Sequence, residues 1–350
     1  MNHKLGIIGY GGMGHHHAEK VMTKVDRLDV SGVYDIREER MVLAKSEGFN
    51  TYDSTDALLA DKSIDLVTIA TPNNFHKELV IRALRAGKNV ICEKPVALNS
   101  EELVEMMGVA KETGKVFTVH QNRRWDRDFV IVKTAIEQGM LGKPFFIESR
   151  VAGSNGVLYE WRGYKVCGGG MLYDWGIHLI DQMMWMVDSP VISVYASLKK
   201  IFCKECDDNF KLFLKFENGI DADIEIDTYN FIALPRWHVV GDRATLSVDD
   251  WACHGKILSA KENGIEWSET IVYTEAGPTR SMAPRRKETI LEEALPEVRT
   301  DWTDFYKNVC AAIEGKEKLI VTPEQALRVM RVVDAAFKSN DENQSVKTYT

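Results

Sequence analysis

The amino-acid sequence predicts an α/β protein with two domains: a doubly wound parallel sheet, then an α+β domain with a large, mostly antiparallel open sheet. The chain has 350 residues, and a chain of this length ordinarily folds around more than one hydrophobic core. In the first third, apolar strands alternate with helical stretches, the pattern of a parallel sheet covered on both faces. From about residue 145 a period-two alternation replaces it, clearest over 221–227. We therefore predict domains over residues 1–122 and 123–350.

Composition and charge exclude several classes of partner. The net charge of −8 disfavours nucleic acid and anionic membranes. No stretch approaches the ~20 consecutive apolar residues of a membrane span, and no apolar leader precedes the first strand. The six cysteines lack a disulfide framework spacing, and the one C-x-x-C has no second pair to complete a zinc site. We expect a cytoplasmic protein with a small-molecule partner, no nucleic acid, no membrane and no metal.

The first strand, KLGII, runs into a glycine pattern at Gly9, Gly11 and Gly14, and a helical stretch follows. A second apolar strand ends at Asp35, 21 residues after Gly14. This order is typical of a dinucleotide-binding unit, in which glycines let the backbone approach the pyrophosphate and the acid accepts ribose hydroxyls. Asp35 would repel a 2′-phosphate and so favours NAD over NADP, whereas Arg37 could hold such a phosphate.

Further polar residues follow the later strands of this half. The carboxyl ends of parallel strands meet at one edge of the sheet, where ligands gather. His76, just beyond one such end, is predicted either near the cofactor or as a helix cap. The predicted cofactor-binding residues are Gly9, Gly11, Gly12, Met13, Gly14, Asp35, Ile36, Arg37, Thr71, Pro72, Asn73, His76, Glu93, Lys94, Pro95 and Asn122.

The segment GGGMLYDWGIH, residues 168–178, opens a predicted helix in the second half. Asp174, His178 and Asp181 are spaced to fall on one face of that helix, among apolar residues. Burying an unpaired charge is costly, so the pattern predicts metal ligands, a structural hydrogen-bonded pair or catalytic groups. Nothing nearby in the sequence supplies a third metal ligand.

Six motifs together resemble the Gfo/Idh/MocA oxidoreductases, in the family's order over nearly the whole chain. They are GYGGMG (9–14), TPNNFH (71–76), CEKPVALN (92–99), HQNRRWDRDF (120–129), WRGYKVCGGGMLYDWGIHLID (161–181) and TPEQALRVMRVVDAAF (322–337). The resemblance implies a Rossmann domain, an open-sheet domain, and a homodimer or homotetramer packed through that sheet. It also implies that Lys94, Asp174 and His178 line the nicotinamide and substrate, and that a secondary alcohol of a sugar or cyclitol reacts with NAD(P).

These residues suit hydride removal from a secondary alcohol, whose hydroxyl proton must also leave. We expect His178 to be the general acid/base, Lys94 to stabilise the reacting oxygen, and Asp174 to accept a substrate hydroxyl and orient the imidazole. Whether Lys94 or His178 takes the proton is open at this point. The predicted substrate-binding residues are Lys94, Arg123, Tyr159, Trp161, Arg162, Asp174 and His178.

Three functions are compatible with this pattern. The first is an NAD-dependent dehydrogenase of a sugar, sugar derivative or inositol. The second is an enzyme that oxidises a glycoside at C3 and recycles bound NAD, or a relative that cleaves glycosides. The third is a dinucleotide sensor without catalysis, which would have no need of Lys94, Asp174 and His178 together.

Overall fold

The computed structural model describes residues 2–156, 158–261, 271–280 and 287–350. Within them the chain forms two large sheets with helices packed on them. The parallel sheet and the mostly antiparallel sheet occur in the predicted order along the chain, which confirms the predicted fold class. The domain boundary at residue 122 stays a prediction.

The N-terminal sheet has five parallel strands in the order β2-β1-β3-β4-β5. Strands β3 and β4 are buried along their whole length, as their continuous apolar runs require. This order puts the ends of β1, β3, β4 and β5 side by side. The strands are β1 (His3–Ile8), β2 (Leu28–Tyr34), β3 (Leu66–Ile69), β4 (Asn89–Cys92) and β5 (Phe117–Val119).

Five helices connect these strands. The sequence predicts Ser100 as the cap of the fifth helix, but that helix begins at Ser100 and the side chain of Asn99 accepts the Glu102 N–H at 2.9 Å. The prediction was wrong by one residue because Asn and Ser are comparable capping residues. The helices are α1 (Gly12–Lys24), α2 (Glu38–Ser46), α3 (Thr55–Ala60), α4 (His76–Arg85) and α5 (Ser100–Thr113).

The C-terminal sheet has nine strands in the order β15-β12-β11-β10-β6-β9-β8-β7-β16, and β6 and β9 form its one parallel pair. The burial of β8 alternates along the strand, so one face is covered and the other is open. The sequence did not predict β12, β15 or β16, and it predicts the segment 277–297, which contains β15, as irregular. These strands are β6 (Pro144–Ala152), β7 (Val191–Lys199), β8 (Asn209–Phe216), β9 (Asp221–Asp227), β10 (Trp237–Gly241), β11 (Ala244–Val248), β12 (Gly255–Ala260), β15 (Ile290–Glu293) and β16 (Val346–Lys347).

A separate hairpin pairs β13 (Ile271–Thr274) with β14 (Gly277–Arg280). The strand predicted over 265–273 overlaps β13, and its residues 265–270 lie outside the described residues.

Four helices accompany the second sheet: α6 (Arg127–Glu137), α7 (Ile177–Met186), α8 (Thr303–Ile313) and α9 (Pro323–Glu342). Helix α9 begins with a capping box between Thr322 and Gln325. It packs on β7 of the second sheet and on α5 and β5 of the first half, so one long helix contacts both sheets. Among the described helices, none is both long and apolar enough to span a bilayer.

An ion pair under α7 links the two halves further. Arg124, which follows β5, donates from Nε and Nη2 to the two carboxylate oxygens of Asp181 on α7 at 2.7 and 2.6 Å. The same guanidinium donates to Gln325 of α9 at 2.9 Å. These contacts hold the end of β5 against the helix that carries His178.

Candidate active site

A tight glycine turn joins β1 to α1. Gly9 has a φ of 92°, in the left-handed region, and a Cβ there would lie 2.5 Å from the carbonyl oxygen of Ala70. A Cβ on Gly14 would lie 1.9 Å from the carbonyl oxygen of Gly9. Because α1 begins at Gly12, its first backbone N–H groups have no partner within the helix and form an anion site. The close backbone packing and this helix end fit the pyrophosphate of a dinucleotide.

Asp35 closes the same site from the end of β2. Its Oδ2 accepts the Tyr10 N–H at 2.6 Å and its Oδ1 accepts the Arg37 N–H at 2.9 Å. Each carboxylate oxygen keeps a further lone pair for a ribose hydroxyl. The Arg37 side chain lies near the glycine turn, with Nε 3.6 Å from Asp35 Oδ1, and Ile36 is 88% exposed. The predicted acid therefore stands beside the predicted phosphate site.

The loop after β3 is tied to its neighbours by two buried side chains. His76 is fully buried, and its Nδ1 and Nε2 lie 2.8 and 2.9 Å from the carbonyl oxygens of Pro95 and Thr71, with the single N–H of the neutral ring donating to one of them. Its burial makes His76 a support for these two loops, and it opens α4 without capping it. Asn73 donates to the Gly168 carbonyl at 2.8 Å, which fastens the glycines of the second half to the first sheet. Thr71 and Pro72 lie in the same loop, just before Asn73.

Lys94 and Asp174 meet although 80 residues separate them. The Lys94 ammonium donates to Asp174 Oδ1 at 2.9 Å and to the Asp174 backbone carbonyl at 3.0 Å. Arg162 Nε lies 3.6 Å from the other carboxylate oxygen. Burial would raise the pKa of Asp174, but the charges of Lys94 and Arg162 outweigh it and hold the pKa below its usual value. Asp174 is therefore an anion flanked by two cations.

His178 lies one helical turn beyond Asp174 and is buried. Its Nδ1 is 3.1 Å from Oε1 of Gln121. Since an amide oxygen can only accept, Nδ1 carries the proton and Nε2 keeps its lone pair. Burial, followed by the charges of Lys94 and Arg123, lowers the pKa of His178 well below 6.5. The imidazole is thus neutral at pH 7.

Three expectations for the predicted histidine helix differ from the structure. Residues Leu172–Gly176 form a π-helical turn before α7 begins, so the regular spacing from Asp174 onward is broken. Asp181 pairs with Arg124 in the interior and does not share a pocket with Asp174. Gln121 holds the His178 ring, whereas Asp174 bonds Lys94, so the expected orienting role of Asp174 is replaced by Gln121.

A buried cluster lies beneath Lys94. Glu93 Oε1 is 2.8 Å from His17 Nε2 and 2.7 Å from His120 Nδ1, and Glu93 Oε2 accepts the Lys94 N–H at 3.1 Å. His17 Nδ1 also lies 2.6 Å from the Tyr306 hydroxyl. The ligand atoms of His17, Glu93 and His120 lie within 4.8 Å of one another, a donor set of the kind that can hold a metal ion. Here hydrogen bonds among these groups account for the arrangement, which ties α1 to the ends of β4 and β5.

The predicted substrate residues lie around Asp174. The Arg123 guanidinium stacks 4.0 Å from the Trp175 ring centre and donates to Asp126 at 2.9 Å. Arg162 stacks on the half-buried Trp161 at 4.6 Å, and Tyr159 is exposed. Asn122 precedes Arg123 in a short 3₁₀ turn after β5. The structure therefore brings Lys94 of the first half into contact with Asp174 of the second, with Arg162 beside the same carboxylate.

Three residues near these groups are absent from the predicted site residues. The sequence places Gln121 with His120 and Asn122 at a strand end where ligands gather, but only Asn122 was predicted as a site residue. Trp175 lies between the two recognised polar residues, but its apolar neighbours favoured a core position. Trp251 follows β11 in a segment without any motif, and only the tertiary structure brings its ring to 5.9 Å from that of Trp175.

Comparison with known proteins identifies the two halves. Residues 3–121 match the family model described as "Oxidoreductase family, NAD-binding Rossmann fold", and residues 133–348 match "Oxidoreductase family, C-terminal alpha/beta domain". A solved structure of an NAD-binding protein from Listeria innocua is 43% identical, covers 99% of both chains and superposes with a TM-score of 0.94.

Characterised relatives are more distant. The scyllo-inositol 2-dehydrogenase (NADP(+)) of Bacillus subtilis is 26% identical over 98% of this chain and 95% of its own length. The D-glucoside 3-dehydrogenase of Escherichia coli is 33% identical over 57% of this chain and 58% of its own length. The two family models together match nearly the whole chain, and the chain therefore belongs to the Gfo/Idh/MocA oxidoreductase family.

Proposed function

We propose that this protein is an NAD(H)-dependent dehydrogenase of a secondary alcohol on a sugar, sugar derivative or inositol. The observation that carries the proposal is the meeting of Lys94, from the first half, with Asp174 beside a neutral, buried His178. A base, an electrostatic donor and a hydroxyl acceptor around one point suit alcohol oxidation. When bound, the nicotinamide accepts the hydride or gives it back.

The donors and acceptors of the site favour His178 over Lys94 as the base. The Lys94 ammonium donates two of its three N–H groups to Asp174, and the third is left for the reacting oxygen. His178 donates its Nδ1–H to Gln121, and the lone pair on Nε2 is left to accept a proton. During oxidation the alcohol carbon loses a hydride, and the hydroxyl proton passes to His178. The Lys94 ammonium stabilises the oxygen as negative charge develops on it.

NAD is the proposed cofactor, and the negative charge of Asp35 supports it over NADP. Arg37 lies near enough to weaken that repulsion, and the Bacillus subtilis relative is named as NADP-dependent. The ratio of kcat/KM for NAD and NADP tests the assignment. In Asp35→Ala we expect the NAD value to fall about tenfold or more, since a hydrogen bond to a carboxylate is lost. Equal kcat/KM values for NAD and NADP in the unaltered protein would contradict the assignment of NAD as the cofactor.

The activity is tested by following NADH absorbance with inositols, aldoses and glycosides, in the unaltered protein and in His178→Ala. NADH formation that depends on His178 supports the proposal. Product without net NADH would instead indicate a recycled cofactor. NAD binding without turnover, unchanged in His178→Ala, would indicate a sensor.

We also propose a homo-oligomer packed through the open face of the nine-stranded sheet. Tyr195 on β7 and Phe213 on β8 are cross-strand partners, and both are exposed on that face. Light scattering after size-exclusion chromatography tests the oligomer. The measured molar mass should exceed that of one chain, and Phe213→Lys should lower it to that of the monomer. A monomer at micromolar concentration would contradict the proposal.

A further inference from the structure

A cavity of about 470 Å³ opens beside the Lys94–Asp174–His178 group. Its lining includes Arg123, Tyr159, Trp175 and Trp251, together with polar groups of Asn155 and Asp227. Lys94 and His178 are not part of the lining, so the cavity adjoins the proposed reaction centre and extends away from it. We call it the tryptophan cavity.

Trp175 is the wall that the reaction centre and the tryptophan cavity share. One edge of its ring meets His178, with ring centres 6.1 Å apart at 69°. Its face carries the Arg123 guanidinium at 4.0 Å. A molecule with a hydroxyl at His178 therefore has the tryptophan cavity next to its adjoining atoms.

Trp251 forms a second aromatic wall. Its ring centre lies 5.9 Å from that of Trp175, and 51% of the residue is exposed. The Arg236 guanidinium stacks 4.9 Å from the ring, and buried Arg236 is itself held by Asp128 at 3.1 Å. A large, half-exposed apolar ring in contact with a buried guanidinium thus lines a cavity, an arrangement typical of a ligand site.

The lining indicates the chemistry of the ligand. Indole faces bind the C–H face of a sugar ring or an aromatic ring, and the amide of Asn155 and the carboxylate of Asp227 suit hydroxyl groups. The volume falls within the roughly 300–1,000 Å³ of pockets for drug-sized ligands. Because Lys94, Asp174 and His178 are not among the lining residues, a ring held between Trp175 and Trp251 would lie beyond the ring whose hydroxyl is at His178.

We propose that the substrate is a glycoside whose second ring, a sugar or an aryl group, binds in the tryptophan cavity against Trp251 while the first ring is oxidised at His178. The proposal rests on the dehydrogenase function proposed above. The D-glucoside 3-dehydrogenase relative agrees with it.

The test compares phenyl β-D-glucoside with methyl β-D-glucoside, which share the sugar and differ in the second group. The unaltered protein should have the higher kcat/KM for the phenyl compound. Trp251→Ala should lower kcat/KM for the phenyl compound about tenfold, because one aromatic stacking contact and the area it buries are lost. The methyl compound should change less than twofold, and Trp251→Phe should keep part of the preference. Tyr349→Ala, which removes another exposed ring, serves as the control and should leave both values unchanged.

Calorimetric binding of phenyl β-D-glucoside to the NADH-loaded protein, in which the sugar cannot be oxidised, separates this proposal from the proposed function. Binding that weakens about tenfold in Trp251→Ala supports the tryptophan cavity even if no sugar is oxidised, which would overturn the dehydrogenase function alone. If Trp251→Ala lowers kcat/KM equally for both glucosides, or if the unaltered protein does not prefer the phenyl compound, the cavity proposal is overturned. The dehydrogenase function would still be supported by the turnover observed.

Discussion

Replacing Lys94 by Met removes the ammonium and keeps a side chain of similar length. Lys94 is the closest cation to Asp174, and its remaining N–H is the proposed donor to the reacting oxygen. Loss of one such donor ordinarily lowers kcat about 10²–10³-fold, equivalent to about 2.7–4 kcal/mol. We expect a decrease of this size in Lys94→Met.

The effect on stability should be smaller. Asp174 loses its partner at 2.9 Å, but Arg162 remains 3.6 Å from the same carboxylate. We therefore expect the free energy of unfolding to fall by about 1 kcal/mol, the lower end of the cost of leaving a polar group unsatisfied. Lys94 also lowers the pKa of both Asp174 and His178, so the variant should raise both. The acid limb of the pH–rate profile should move to higher pH.

The assays are NADH absorbance for turnover, calorimetry for NAD binding and urea unfolding for stability. Lys77→Met is the matched control, since Lys77 pairs with Glu105 at 2.8 Å on the surface and should change none of these quantities. Turnover within threefold of the unaltered value would refute the assigned role. Loss of NAD affinity in proportion to turnover would make Lys94 a cofactor-binding residue instead.

Three further results are expected. Gly14→Ala should abolish NAD binding, because its Cβ would lie 1.9 Å from the Gly9 carbonyl oxygen; unchanged calorimetric affinity would contradict the glycine-turn assignment. Arg124→Met should lower the free energy of unfolding by about 3–5 kcal/mol, since it leaves the Asp181 carboxylate buried without its partner; a urea midpoint close to that of the unaltered protein would contradict this. Stability should also fall as the pH drops below about 6.5, because buried histidines with lowered pKa values take up protons only on unfolding, at most about 1.4 kcal/mol per histidine per pH unit. Equal urea midpoints at pH 7 and pH 5 would refute it, and the histidines concerned are His17, His76 and His178.

The sequence predicted the parallel sheet well because its signals are local. Apolar runs such as β3 and β4, and the glycine spacing before α1, depend on residues close together in the chain. Strand β15 was missed because it is short and pairs with β12, which lies well before it in the chain. Strand β12 pairs with its neighbour in sequence, β11, but Ile257 is its one buried side chain, so it lacks the alternating pattern that identifies a strand.

The residues of the candidate site divide in the same way. Motifs identified Lys94, Asp174 and His178, yet the assumption of a regular helix misassigned their partners, because a π-helical turn and the Arg124–Asp181 pair alter which side chains meet. Gln121 acquires its place through a contact between the two halves of the chain, and Trp251 through a contact with Trp175 within the second half.

By itself the sequence determined the order of the parallel strands, the dinucleotide unit and the identity of the polar residues at the strand ends, since these follow from short-range periodicity and backbone sterics. The tertiary structure alone decided that Lys94 bonds Asp174, that Gln121 sets the proton on His178, and that two tryptophans wall a cavity beside them. Those facts depend on distances between segments about 60 to 130 residues apart, which no local pattern encodes.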